Sequence, residues 1–135
     1  MAAPTKILLQ NENCKMQNKA EDLSDRLLDF GANVIKLTVK LNRTSVGRHV
    51  GFQLVRAASS CGANYEEARA AESRADFVHK MQVVLKELRE SIYWLKLIKK
   101  SGPDLDSHLL PVLTEANELA NIFAKSILTA KGQKS

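Results

Sequence analysis

The sequence has little aromatic, proline, glycine or cysteine content, and each shortage narrows the range of folds. Only 5% of its 135 residues are Phe, Trp or Tyr, and most of its apolar residues are Leu, Ile, Val and Ala. That balance favours helices over sheets. Three prolines and six glycines leave long stretches of chain without a helix breaker. The length suits one domain that buries its own core.

The two cysteines and the short apolar runs indicate the compartment. Cys14 and Cys61 are too few for a disulfide framework, and neither has the neighbours that a zinc site needs. We interpret both thiols as ordinary small side chains rather than as metal ligands or nucleophiles. The apolar run Ile7, Leu8 and Leu9 is too short for a signal peptide or a membrane span. We therefore expect a soluble cytoplasmic protein.

Apolar residues recur at helical spacing in four segments, which predicts helices at about 22–41, 45–71 and 73–100 and a fourth from about Leu105 or Pro111 to Ala130. The predicted seam of the first helix is Leu23, Leu27, Phe30, Val34, Leu37 and Leu41, and that of the fourth is Leu109, Leu113, Ala116, Ala120, Phe123, Ile127 and Ala130. Ser45 and Ser73 are the predicted caps of the second and third helices. Gly102 and the proline after it predict the stop before the fourth. We predict an all-α, up-down-up-down antiparallel four-helix bundle at 21–131, between a flexible leader at 1–20 and a basic tail at 132–135.

The second helix contains an unusual run of small residues from Ala57 to Ala63. Close approach of a neighbouring helix is the predicted reason for Gly62, because glycine in a helix costs about 1 kcal/mol relative to alanine. Asn64 falls on the predicted core seam of this helix, which is Val50, Leu54, Ala57, Cys61, Asn64 and Ala68. Together with Glu67 and Trp94 it is interpreted as a structural group that fixes register or oligomeric state. A place in a binding site is the alternative for Asn64.

Several apolar residues lie outside the four seams, and this surplus predicts self-association. They are Leu28 and Ile35 in the first helix, Val78 in the third, and Leu110, Leu119 and Ile122 in the fourth. A bundle that stays monomeric needs one apolar stripe on each helix. The alternative is a wide core within one subunit.

No motif predicts catalysis or a cofactor. A di-metal carboxylate site in a bundle needs Glu-x-x-His motifs. The nearest match is Asp76-x-x-His79, in which Asp76 already serves the helix cap. Glu87 and Glu90 form a carboxylate pair suited to acid–base chemistry, but such residues more often form ion pairs with Lys and Arg. We predict no enzyme activity, no cofactor and no metal.

The net charge of +5 is unevenly distributed. The stretch 36–56 carries five basic residues and no acid, and three lysines follow the last glutamate near the C terminus. Basic patches of this kind are typical of nucleic-acid binding, although a solvated helix face and a basic tail are an alternative. The predicted phosphate contacts are Lys36, Lys40, Arg43, Arg48, Arg56, Lys125, Lys131 and Lys134.

Four ordered motifs carry a resemblance to a known family. They are Gln53-Leu54-Val55-Arg56-Ala57, Gly62-Ala63-Asn64-Tyr65-x-Glu67-Ala68, Ser73-x-x-Asp76-Phe77-x-x-Lys80 and Leu85-Lys86-Glu87-x-x-Glu90-Ser91-x-Tyr93-Trp94-Leu95. They resemble the bacterial four-helix-bundle proteins encoded in intervening sequences of 23S rRNA genes, a family that includes accessory variability proteins of diversity-generating retroelements. The resemblance covers about 22–130.

The resemblance implies a ring-like homopentamer without catalytic residues. For the retroelement branch it also implies a basic surface that contacts RNA and the reverse transcriptase. The favoured hypothesis is therefore an oligomeric protein that binds RNA or DNA through its basic residues. The alternative is an oligomeric scaffold or adaptor that binds a protein partner, such as a reverse transcriptase, with Tyr93 and Trp94 in the contact.

Overall fold

Four helices form the part of the chain that the structure describes. The computed structural model describes residues 3–102 and 105–132, and the side chains of residues 14–102, 105 and 107–132. The helices are α1 (Ala3–Val39), α2 (Ser45–Arg69), α3 (Arg74–Ser101) and α4 (Asp106–Ala130). Each packs on the next and α4 returns to α1, whereas the backbones of the diagonal pairs within these ranges do not approach each other closely. The predicted all-α four-helix bundle is confirmed. Within the described ranges, no helix combines the length and apolarity needed to cross a membrane.

Contacts between successive helices show that they run antiparallel. Tyr65, near the end of α2, donates a hydrogen bond from Oη to the carbonyl of Ala20 at 3.4 Å. Gly51, near the start of α2, lies against Thr38, near the end of α1. The two salt bridges between α2 and α3 follow the same opposite order. Arg26 of α1 pairs with Glu115 of α4, whereas Lys36, later in α1, lines a groove with Ser107 at the start of α4. One end of the bundle therefore gathers the end of α1, the start of α2, the end of α3 and the start of α4.

The first helix begins at Ala3, so the predicted start near Asp22 is wrong. Residues 14–19 are all exposed. This part of α1 buries no apolar stripe, and a stripe is the signal by which a sequence reveals an amphipathic helix. The predicted flexibility of residues 1–20 and the basic tail at 132–135 stay predictions.

The core follows the predicted seams closely in α1 and α3 and less closely in α2 and α4. Tyr65 is buried and meets the ring of Phe123 edge-on, with centroids 5.4 Å apart, whereas Asn64 is only half-buried. In α4, Val112 and Leu119 are buried, whereas Leu113 and Ala120, which the sequence placed in the seam, are half-buried. A straight helix has 3.6 residues per turn, so a seam written with a strict 3.5-residue spacing drifts off the core by one position.

The helix caps decide where the connections lie. Thr44, not Ser45, caps α2, because its Oγ1 accepts a hydrogen bond from the Gly47 amide at 2.9 Å. The predicted Ser73 cap is confirmed, since Ser73 Oγ accepts from the Asp76 amide at 3.0 Å. The predicted stop at Gly102 is confirmed by its left-handed backbone, with φ of 100°.

Two glycines of α2 have opposite surroundings. A Cβ at Gly47 would lie 1.9 Å from the Leu41 carbonyl oxygen, so the α1–α2 connection leaves no room for a side chain there. A Cβ at Gly62 would meet only Leu27 Cβ at 3.8 Å, which is an ordinary contact. Close packing within the subunit is therefore not the reason for Gly62, and that prediction is wrong.

Candidate nucleic-acid interface

Four of the predicted phosphate contacts lie at one end of the bundle. Lys36 is on the last turn of α1, Lys40 directly follows that helix, Arg43 is in the α1–α2 connection, and Arg48 is on the first turn of α2. All four side chains are exposed. The α1–α2 connection and the start of α2 position Arg48, because its guanidinium donates to the Asn42 carbonyl and to Ser45 Oγ, each at 3.3 Å.

The antiparallel fold adds lysines from α3 that the sequence analysis missed. Lys96, Lys99 and Lys100 occupy the last turns of α3, at the same end as Arg43, and all three are exposed. A cavity of about 260 Å³ lies beside the α1–α2 connection, and its lining includes Arg43 and Ser101, the last residue of α3. The predicted topology would have placed these lysines beside Arg43, because in an up-down bundle the end of the third helix meets the connection between the first two helices.

We name this surface the basic end, defined by Lys36, Lys40, Arg43, Arg48, Lys96, Lys99 and Lys100. Among the described residues, no carboxylate forms a salt bridge with any of the seven. The described ion pairs lie further along the helices. The positive charge at the basic end is therefore available to a ligand.

Arg56 is engaged within the bundle. Its guanidinium pairs with Glu90 of α3 and lies 3.7 Å from Glu87 Oε2. The hydrogen bond to Glu90 raises the pKa of Arg56, and the same bond lowers the pKa of Glu90. Arg56 therefore ties α2 to α3, and the predicted carboxylate pair is an ion-pair site with an arginine from the neighbouring helix.

The C-terminal lysines lie away from the basic end. Lys125 is in the last turns of α4 and Lys131 follows that helix. Lys131 lines a depression with Arg74 and His79 of the first turns of α3, which is the opposite end of the bundle. Lys134 lies outside the described residues. The eight predicted contacts therefore do not form one surface in a single subunit.

A groove opens between α1 and α4 beside the basic end. It has a volume of about 380 Å³ and is lined by Phe30, Asn33, Lys36, Leu37, Lys40, Ser107, His108, Pro111, Val112 and Glu115. Contact between these two helices is sparser than between the other neighbouring pairs. Arg26 closes the far side of the groove, since its Nε donates to Glu115 Oε2 at 3.1 Å and its Nη2 to Glu118 Oε2 at 3.1 Å.

The remaining predicted polar residues make local contacts. Asn64 Nδ2 donates to the Ser60 carbonyl at 2.9 Å, one turn back in the same helix. Glu67 accepts from Lys80 Nζ at 2.9 Å across the α2–α3 connection. Trp94 Nε1 donates to Glu90 Oε1 at 3.4 Å. These bonds stay within a helix or join α2 to α3, and the expected role of these residues in register or oligomeric state stays a prediction.

Burial alters the acidity of the half-buried Glu87 and of the buried Cys61. Burial raises the pKa of Glu87, and its Oε2 makes no hydrogen bond within the described part of the chain. Burial also raises the pKa of the Cys61 thiol to about 12, so this thiol stays protonated and unreactive at neutral pH. Among the described side chains, no three His, Cys, Asp or Glu residues gather closely enough to hold a metal ion.

A second surface is apolar and lies between α1 and α2. Leu28, Ile35 and Val39 of α1 are 71%, 51% and 64% exposed, and we call them the apolar face. A groove of about 570 Å³ runs beside Leu28 and Ile35, and small residues of α2 that include Gly62 form its other wall. Phe52, seven residues before the groove residue Ser59, is 67% exposed on the same side of α2.

Comparison with known proteins agrees with this fold. Residues 12–125 match the family described as 23S rRNA-intervening sequence protein. The chain is similar to a crystal structure of a protein of unknown function from the S23 ribosomal protein family of Bacteroides thetaiotaomicron VPI-5482. That similarity has 28% sequence identity and a TM-score of 0.74, and it covers 81% of this chain and 97% of the other. No curated protein is similar enough in sequence to match the chain.

Proposed function

This chain belongs to the 23S rRNA-intervening sequence protein family, and from that premise we propose that it is a non-enzymatic protein that assembles with copies of itself and binds nucleic acid. The basic end is the contact surface. The assembly is a homopentamer, as the family resemblance of the sequence motifs implies. The observation that carries the proposal is the gathering of seven exposed basic side chains at one end of the bundle.

The charge at the basic end suits a polyanion because it is concentrated and unpaired with described carboxylates. The whole chain has 20 basic and 15 acidic residues, and about a third of the basic residues lie at the basic end. The ion pairs of Arg26, Arg56 and Lys80 use acids that lie elsewhere. Contacts of this kind recognise the phosphate backbone and carry little sequence information.

Self-association multiplies this surface. The apolar face exposes three large aliphatic side chains at helical spacing, beside a groove with small residues on its other wall. A second copy that covered this face would remove the exposed aliphatic surface from water. Several subunits in a ring would present several basic ends to one nucleic acid, and linked contacts strengthen binding without any new type of interaction.

Salt dependence tests the binding mechanism. Six or seven phosphate contacts per subunit predict that affinity for RNA or DNA falls by about a thousandfold or more between roughly 50 and 200 mM salt. The measurement is fluorescence anisotropy of a labelled nucleic acid titrated with protein over that range. An affinity that stays constant over the range contradicts the mechanism.

Light scattering tests the assembly. The wild-type mass should be near five subunits of 15.0 kDa, and Ile35→Asp should shift it toward the single subunit. Leu97→Asp is the matched control, because Leu97 is also exposed, at 38%, but lies on α3 away from the apolar face. Equal masses for the two variants would remove the apolar face from the proposal. Circular dichroism checks that both variants keep their helices.

A protein-binding adaptor is the second candidate, and one observation favours it. Tyr93 is 58% exposed and meets Trp94 edge-on, with ring centroids 5.2 Å apart. Exposed aromatic residues are frequent anchors of protein interfaces. Charge reversal of Arg43 and Arg48 separates the candidates. Loss of nucleic-acid binding supports the first, whereas a wild-type affinity for nucleic acid leaves the adaptor as the better interpretation.

A further inference from the structure

The groove between α1 and α4 has the size and lining of a ligand site. Its volume of about 380 Å³ falls within the range of about 300–1,000 Å³ that is typical of small-molecule sites. Its inner wall is formed by Phe30, Leu37 and Val112, whose side chains are almost fully buried, and the exposed residues His108 and Pro111 also line it. An apolar wall of this kind favours a flat or apolar group over a hydrated ion.

The rim of the groove offers hydrogen-bonding groups of both kinds. The exposed Asn33 amide can donate and accept, and Ser107 adds a hydroxyl. Pro111 lies inside α4 and has no N–H, so the Ser107 carbonyl cannot receive the usual helical hydrogen bond from position 111. The edge of a nucleobase also carries both donors and acceptors.

Positive charge stands at the same rim. Lys36 is on the last turn of α1 and Lys40 directly follows that helix, and both line the groove. Glu115 is the described carboxylate of the lining, and Arg26 binds both of its oxygens. The lysines are therefore the unpaired charges among the described groove residues, and their preferred partner is an anionic group such as a phosphate.

We infer that this groove holds one unpaired nucleotide of the bound nucleic acid. The base lies against the exposed rings of His108 and Pro111, Asn33 contacts its edge, and Lys36 and Lys40 hold its phosphate. The inference rests on the proposed function. It adds a preference that charge alone does not give: a base inside a duplex is stacked and paired, so only single strands, loops or bulges can place a base in the groove.

The experiment compares two RNA probes of equal length, an unstructured single strand and a perfect duplex. Wild-type protein should bind the single strand about tenfold more tightly at equal salt, the size expected for one well-placed base. Ser107→Phe fills the groove without changing charge, and Asn33→Leu removes the amide. Each should abolish most of that preference and leave duplex binding unchanged.

Asn121→Phe is the matched control, because Asn121 is exposed on α4 but does not line the groove. It should keep the wild-type preference. Circular dichroism shows whether each variant retains its helices. The two groove variants lie on different helices, so a local folding defect in one of them would not explain the same result in both.

The outcomes separate the two proposals. If the groove variants bind both probes as the wild type does, the nucleotide site is overturned and the basic end stands. If wild-type protein prefers the duplex or binds both equally, the nucleotide site is likewise overturned. If wild-type protein binds neither probe at low salt, the proposed function itself fails.

Discussion

The α2–α3 side and the α1–α4 side of the bundle differ in how tightly they close. Arg56–Glu90 and Lys80–Glu67 join α2 to α3 at two levels, and the helices stay in contact along their length. On the other side, Arg26 holds α1 to α4, and beyond it the helices separate into the groove beside the basic end. The closed side is held along its length by helix contacts and ion pairs, and the open side leaves a groove between its two helices.

Leu88→Ala should have the largest effect on stability and should sharpen this contrast. Leu88 is fully buried in α3, and its truncation should lower the free energy of unfolding by about 2–5 kcal/mol. Urea denaturation measures the loss, with Leu110→Ala as the exposed control. Nucleic-acid affinity of the folded variant should stay at the wild-type value. A loss of affinity in protein that is still folded would mean that core packing and binding are not separate.

Gly47→Ala should affect both properties, because it changes the backbone that carries the basic end. Its methyl group would collide with the Leu41 carbonyl, and relief of that collision must move the connection that bears Arg43 and Arg48. We expect a loss of about 1–3 kcal/mol in unfolding free energy together with weaker nucleic-acid binding. Chemical denaturation and anisotropy measure the two effects. A variant of wild-type stability would contradict the close approach.

Gly62→Ala is the matched substitution in the same helix, and it should raise the stability of the subunit where Gly47→Ala lowers it. Alanine fits beside Leu27 and should add about 0.5–1 kcal/mol to the stability of the subunit through its higher helix propensity. Because Gly62 lines the groove at the apolar face, the same methyl group should weaken self-association. Thermal unfolding and light scattering measure the two effects. A destabilised subunit with unchanged mass would contradict both expectations.

Glu87→Gln should have the smallest effect, and its dependence on pH is the informative part. Burial raises the pKa of Glu87, so the protonated carboxyl stabilises the folded state. That stability is fully present below the unfolded pKa of the group and is lost as pH rises through its folded pKa. The variant should therefore equal or exceed the wild type in stability at neutral pH, and its advantage should shrink as pH falls. Exposed Glu72→Gln is the control. Urea denaturation at several pH values measures the difference, and an advantage that grows toward low pH would contradict this sign.

The sequence predicted the fold well because apolar spacing reports which residues a helix buries. Leu27, Phe30, Val34 and Leu37 keep the predicted seam of α1. Asn64 was placed in the core where Tyr65 lies, since one residue of helical drift decides between them and spacing alone cannot resolve it. The early part of α1 was missed because its exposed residues leave no periodic pattern.

The candidate site could be predicted only in part, because it depends on which helix ends meet. Four basic residues close together in sequence were found from charge alone. Lys96, Lys99 and Lys100 needed the topology, and the engagement of Arg56 by Glu90 needed side-chain positions. The α1–α4 groove combines residues about 70 positions apart, and no local pattern predicts it.

The most direct test of the account compares charge reversals at the two ends of the bundle. Arg43→Glu with Arg48→Glu changes the basic end, and Lys125→Glu with Lys131→Glu makes the same change in net charge at the opposite end. Anisotropy with one RNA probe at fixed salt should show that the first pair weakens binding by about tenfold or more, and that the second pair has a much smaller effect. Equal losses would show that overall charge, and not the basic end, determines binding.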